Sequence, residues 1–128
     1  MVLRFMRVLI VDDNEAVRRG IARLLAPEKD YEVCGEAEHG VGAIQKVREL
    51  QPDLVLLDMS MPGLSGLDTA RLLRREWPEI KILILSQNDA AHLLPIALDA
   101  GADGFVDKSS IATDLLRMIK SVVDGSSK

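Results

Sequence analysis

The sequence predicts a doubly wound α/β domain, five β-α units forming a five-stranded parallel sheet in the order 2-1-3-4-5 with helices on both faces. Two observations lead there. Five short runs rich in Val, Ile and Leu recur along the chain, and between them apolar residues return at helical spacing. Strands apolar on both faces need cover on both sides, and strict alternation supplies it through parallel strands joined by crossover helices.

The strand candidates are Val8 to Val11, Tyr31 to Ala37, Leu54 to Leu57, Ile82 to Leu85 and Gly104 to Val106. Helical periodicity joins Val17, Ile21 and Leu24, then Val41, Ile44 and Val47, then Leu67, Ala70, Leu73 and Trp77, then Leu94, Ala97 and Leu98, and last Ile111, Leu115, Met118 and Val122. Ser65 with Asp68 reads as a capping box, Gly101 as a helix C-terminal cap, and Ser109 or Ser110 as the cap of the last helix. Pro95 lacks an amide hydrogen and disfavours helical geometry at Leu94. The fourth helix is therefore expected to begin near Leu94 or Pro95 and end at Gly101, leaving Gln87 to Leu93 as an irregular loop. The whole is the flavodoxin-like arrangement.

At 128 residues the chain has the size of one domain, and its 48% hydrophobic and 28% charged composition is globular. A net charge of −4 disfavours direct nucleic-acid binding by this segment. The single cysteine, Cys34, excludes an internal disulfide and reads as a buried, inert thiol in a reducing compartment. The opening apolar run is too short for a signal peptide or membrane span, so a cytoplasmic location and no membrane partner are expected.

Ligands of open parallel sheets sit beyond the carboxyl ends of the strands, where the winding reverses. Here that point lies between strands one and three. Strand one ends in Asp12 and Asp13, strand three in Asp58, strand four in Ser86, and Lys108 follows strand five. Carboxylates crowded together raise one another's pKa unless a cation compensates, and hard oxygen ligands point to one Mg²⁺, with the Ser60 carbonyl as a further donor. A carboxylate can attack phosphorus to give an acyl phosphate once Mg²⁺ and Lys108 neutralise the incoming dianion, with the Ser86 hydroxyl as an additional donor.

Each residue alone has a plainer use. Asp12 and Asp13 can cap a helix with Asn14, Asp58 can stabilise its loop, Lys108 can be solvated and Ser86 can sit in a turn. Their convergence at one end of different strands is what argues for chemistry. His39 and His92 read as surface residues, and Trp77 as an apolar anchor.

These blocks, Val8-Leu-Ile-Val-Asp-Asp-Asn14, Asp58-Met-Ser-Met-Pro-Gly63 with Gly66, Leu85-Ser86 and Gly101-Ala-Asp-Gly-Phe-Val-Asp-Lys108, resemble the receiver domain of two-component response regulators over essentially the whole chain. The Gly-Ala-Asp-Gly-Phe stretch is most similar to receivers of the NarL/LuxR type. The resemblance implies a phosphoacceptor at Asp58 charged by a histidine kinase, Mg²⁺ held by Asp12, Asp13, Asp58 and the Ser60 carbonyl, Lys108 on the phosphoryl group, and Ser86 with Phe105 as the switch pair. It further implies a homodimer or output-domain contact through the fourth helix, fifth strand and fifth helix. Residues 1–124 would be the receiver domain and 125–128 a short tail, with no output domain in the chain.

The sequence departs from the family at Gln87, where a small residue is usual and where added bulk hinders access to the phosphoryl group. Phe105 lacks a tyrosine's hydroxyl, so an inward state gains apolar burial alone. A haloacid-dehalogenase-type phosphotransferase would want a second aspartate at the Ser60 position, which argues against an enzyme beyond slow autophosphorylation from small donors and autodephosphorylation. A receiver-like module working by protein contact alone is the other alternative, and Gln87 is its best support.

Overall fold

A computed structural model describes residues 5–87 and 90–125. Its elements follow in strict alternation: β1 (Met6–Val11), α1 (Glu15–Leu25), β2 (Tyr31–Ala37), α2 (Gly40–Leu50), β3 (Leu54–Asp58), α3 (Gly66–Glu76), β4 (Lys81–Ser86), α4 (Ala90–Asp99), β5 (Gly104–Asp107), a 3-10 turn (Lys108–Ser110) and α5 (Ile111–Gly125). The strands form one parallel sheet, as the alternation predicts, in the order β2-β1-β3-β4-β5 that is usual for a five-stranded sheet of this kind and is shared by receiver domains.

Side chains of successive strand residues point to opposite faces, and the two faces build two cores. Val8, Ile10, Leu54, Leu56, Leu83, Leu85 and Val106 pack with Ile21 and Leu25 of α1 and Leu115, Ile119 and Val122 of α5. Leu9, Val11, Val55, Leu57, Ile82, Ile84 and Phe105 pack with α2, α3 and α4. β2 departs from expectation. As an edge strand it is mostly half-buried, with Glu32 and Glu36 exposed. Its pairing with β1 slips by one residue between Val8 and Leu9, and Cys34 falls at that slip. Cys34 is therefore half-buried rather than buried, and burial still pushes its thiol pKa up.

Helix ends follow the sequence in most places. Ser65 Oγ accepts the Asp68 amide at 3.1 Å, while the Asp68 carboxylate pairs with Arg71. Gly101, at φ 99°, closes α4 with two bonds, from its own amide to the Leu98 carbonyl and from the Ala102 amide to Ala97. That is the Schellman motif. The last helix is entered differently. Asp107, not Ser109 or Ser110, caps the 3-10 turn, its Oδ1 accepting the Ser109 amide at 2.9 Å and the Ser109 hydroxyl at 2.7 Å.

The expectation for α4 fails. The helix starts at Ala90 and Pro95 stands inside it, so Ala90 to Leu93 of the expected loop are helical; Gln87 is a bend, and residues 88 and 89 lie outside the described residues. Proline in a helix costs about 3 kcal/mol. Against that, Leu93 packs on the core, Ala97 and Ala100 are buried, and the Gly101 cap satisfies the carbonyls at the far end. Apolar burial worth about 1.5–3 kcal/mol per large side chain offsets the forfeited bond.

Candidate functional site

Strand register decides which side chains meet at the carboxyl edge. Val11 pairs with Leu57, so the next residues, Asp12 and Asp58, lie side by side; Asp58 pairs with Leu85, and Ser86 with Asp107. Asp12 and Asp58 continue the parity of Ile10 and Leu56, the face covered by α1 and α5. Lys108 continues the parity of Val106 and reaches back over both carboxylates. Its Nζ stands 2.6 Å from Asp12 Oδ2 and 3.0 Å from Asp58 Oδ1.

Burial makes this arrangement costly. Asp12 is 0% exposed, Asp58 4% and Ser86 3%, while Asp13 is exposed at the rim. Asp12 Oδ1 accepts the Asn14 amide at 2.8 Å, while the buried Oδ2 is ion-paired with the Lys108 ammonium but, among the described residues, lacks a hydrogen bond of regular geometry. Among the described residues, both hydrogen bonds to Asp58 end on Oδ1, from Lys108 and from the Ser60 amide at 3.3 Å. Burial raises the Asp58 pKa and the neighbouring Asp12 charge adds to it, against the lowering effect of Lys108. Burial alone would lower the Lys108 pKa; Asp12 and Asp58 together outweigh it and leave it raised.

Asp12, Asp13, Asn14, Val17, Asp58, Ser60, Ser86, Gln87 and Lys108 line a depression of about 270 Å³. Oxygens of Asp12, Asp13 and Asp58 lie within 4.8 Å of one another. Three carboxylates against one ammonium leave two negative charges uncompensated, the charge of one divalent cation. A buried oxygen without a regular hydrogen bond and an all-oxygen donor set suit a hard ion such as Mg²⁺.

Every sequence-predicted residue thus reaches the pocket except Phe105, which is 5% exposed and packed in the core on the side of α2, α3 and α4. His39 and His92 are exposed, and Trp77 is half-buried against the core with Arg48 stacked over its ring at 5.8 Å. Sequence reasoning missed Arg18. From α1 its Nη1 donates to the Asp12 carbonyl at 2.7 Å and its Nε to Glu36 at 2.8 Å. A charged residue one step from Val17 on an amphipathic helix gives no signal of its own.

Fold and pocket together define a doubly wound protein with an acidic, lysine-bridged cleft at its topological switch point. Residues 8–120 match the model of the response regulator receiver domain, and the chain belongs to that family. It is 42% identical over 120 residues to the nitrate/nitrite response regulator protein NarP of Escherichia coli K12, covering 94% of this chain and 56% of that one. Among solved structures, a LuxR-family two-component response regulator from Aurantimonas sp. SI85-9A1 superposes with a TM-score of 0.89 at 33% identity, covering 94% of this chain and 86% of that one. The signal receiver domain of the response regulator NarL from Mycobacterium tuberculosis gives 0.87 at 31% identity, covering 95% and 98%. The chain spans little more than half the length of the curated regulators it matches. Among the described residues no helix is long and apolar enough to cross a membrane.

Proposed function

We propose that this receiver domain accepts a phosphoryl group on Asp58 from a histidine kinase and relays its presence to a partner. The observation that carries the reading is the buried Asp12–Lys108–Asp58 arrangement, which leaves one Asp12 oxygen without a regular hydrogen bond and gathers the hydrogen bonds of Asp58 on Oδ1. Asp58 Oδ2, with no hydrogen bond among the described residues, is the oxygen placed to attack. Its lone pair forms the new P–O bond as the P–N bond of the phosphohistidine breaks, and the electron pair leaves with the imidazole, which takes up a proton.

The residues divide the remaining work. Asp12, Asp13, Asp58 and the Ser60 carbonyl would hold Mg²⁺, which supplies charge neutralisation of the equatorial oxygens. Lys108, 3.0 Å from Asp58 Oδ1, is within short reach of a group attached at Oδ2. Ser86 offers a hydroxyl to that group, and Gln87 on the pocket wall narrows the approach. Ser86 and Phe105 act as the switch pair. The output is the α4-β5-α5 face, where Leu94, Ile96 and Leu98 are 41%, 45% and 49% exposed on a helix without Lys, Arg or Glu. An exposed apolar patch of this kind, bordered by Asp99, suits a homodimer or an output domain. A role in transcription regulation is supported by the name of one relative, a transcriptional regulatory protein, and a cytoplasmic location is part of the same proposed reading.

Mass measurement after incubation with acetyl phosphate or phosphoramidate and Mg²⁺ tests the reading. One added phosphoryl group that disappears in Asp58→Asn is the expected result, and labelling that persists in the variant overturns it. A receiver-like module acting by contact alone is the second reading, favoured by Gln87 on the pocket wall. No added mass in the wild type would select it.

A further inference from the structure

Asp13 differs from the other carboxylates of the cluster. It is exposed, and among the described residues its side chain has no hydrogen bond or ion pair, so its place at the rim is set by its backbone alone. A peptide unit is planar, so whatever holds the Asp12 carbonyl also holds the Asp13 amide and fixes where the Asp13 Cα stands. The Asp12 amide is tied to the Ala37 carbonyl at 3.1 Å and its Oδ1 to the Asn14 amide at 2.8 Å. Its carbonyl is held by Arg18 Nη1 at 2.7 Å, and Arg18 is in turn held by Glu36, through Nε at 2.8 Å.

We propose that Arg18, braced by Glu36, is a positioning residue that presets the Asp12–Asp13 peptide and so holds Asp13 where it ligates Mg²⁺. This rests on the reading of the pocket as a Mg²⁺ site. The Arg18 side chain is 12% exposed, and its planar guanidinium fork reaches two acceptors on different elements, the end of β1 and the edge strand β2. A lysine keeps the charge but offers a single nitrogen in place of that fork. The role is separate from charge. A cation beside a metal site weakens metal binding by repulsion, so a substitution that removes charge and one that removes geometry push in opposite directions.

The test therefore holds charge constant. Mg²⁺ affinity of the full chain is measured by titration calorimetry without a phosphodonor, for the wild type and Arg18→Lys. Second-sphere partners of metal ligands typically change affinity by about 10- to 100-fold, and a loss of about tenfold is expected here. In acetyl phosphate labelling, the Mg²⁺ concentration giving half the maximal rate should rise by a similar factor while the rate at saturating Mg²⁺ stays within about twofold. A second comparison uses Glu36→Ala and Glu36→Gln, which lose the same charge but differ in keeping an acceptor for Nε. The alanine variant should bind Mg²⁺ several-fold more weakly than the glutamine variant. Should Arg18→Lys fail to fold, this pair decides. Arg18→Lys with wild-type affinity, or equal affinities in the Glu36 pair, overturns the proposal. A wild type that binds no Mg²⁺ overturns the site reading as well, which separates the two failures.

Discussion

The two edges of the sheet use aspartate in opposite ways. At the amino edge, Asp53 Oδ2 accepts the Arg7 amide at 2.8 Å while its own amide donates to the Arg7 carbonyl, extending the ladder by a side chain. Asp103 does the same with Ile82, and its Oδ2 also takes Arg74 Nη2 at 2.8 Å. Arg74 spends its remaining donors on the carbonyls of Gly101, Pro78 and Ile80. These carboxylates are half-exposed and satisfied. At the carboxyl edge, Asp12 and Asp58 are buried, share one ammonium, and leave an oxygen without a regular hydrogen bond. The same residue type closes the fold at one end and crowds like charges at the other, and the crowded end is the one proposed to take a cation and a phosphoryl group.

The largest effect that would break this contrast is at Lys108. Lys108→Ala leaves two buried carboxylates unpaired and should cost about 3–5 kcal/mol in urea unfolding with a chelator present. Mg²⁺ at a hundredfold its Kd should return about 3 kcal/mol of that. Equal stability of variant and wild type in chelator would mean the carboxylates are not in conflict. Next comes Asp103→Ala, which orphans the Ile82 amide and an Arg74 donor and should cost about 1–3 kcal/mol, with no response to Mg²⁺.

Asp58→Asn should act in the other direction. Because the folded pKa of Asp58 is raised, this group favours folding most at acid pH, and that contribution is lost as pH rises from the ordinary carboxylate range through the folded value. At neutral pH its charge is a net burden. Asp58→Asn should therefore be more stable than wild type by about 1 kcal/mol at pH 7, a gain that shrinks on acidification; a variant less stable at pH 7 would contradict the assignment. The last effect is at Pro95. Pro95→Ala removes the cost of about 3 kcal/mol of a proline inside a helix, and the freer unfolded chain takes back about 0.4–1 kcal/mol. Amide exchange should slow within α4 and the urea midpoint should rise; an unchanged midpoint would mean that α4 already accommodates the proline without strain.

Periodicity made most of the fold legible. The strand centres, their parallel pairing and the residues of the pocket follow from alternation and from strand ends, which are local signals; the strand order came from the usual topology of such sheets. What escaped depends on distance or on compensation. Arg18 and Arg74 look like any cation on an amphipathic helix, and their partners lie 4 to 29 residues away in sequence. Asp107 was hidden by the serines after it, since either hydroxyl is an acceptable cap on paper. Pro95 was read correctly for its local cost and wrongly for the outcome, because Leu93, Ala97 and the Gly101 cap supply what the missing amide does not. Cys34 was misjudged because an apolar run does not reveal which strand will lie at the edge or where its register slips.

Asp12, Asp58 and Lys108 keep the two-residue rhythm of the core residues before them, Ile10, Leu56 and Val106. A slip of one position in any of these strands would turn core side chains to the wrong helices and, in the same movement, carry a pocket group to the other side of the sheet. Packing thus proofreads the pocket: a chain that has settled its hydrophobic register has no separate error left to make at the strand ends. Cooperative unfolding of this domain is accordingly also an assay of whether its cleft is assembled.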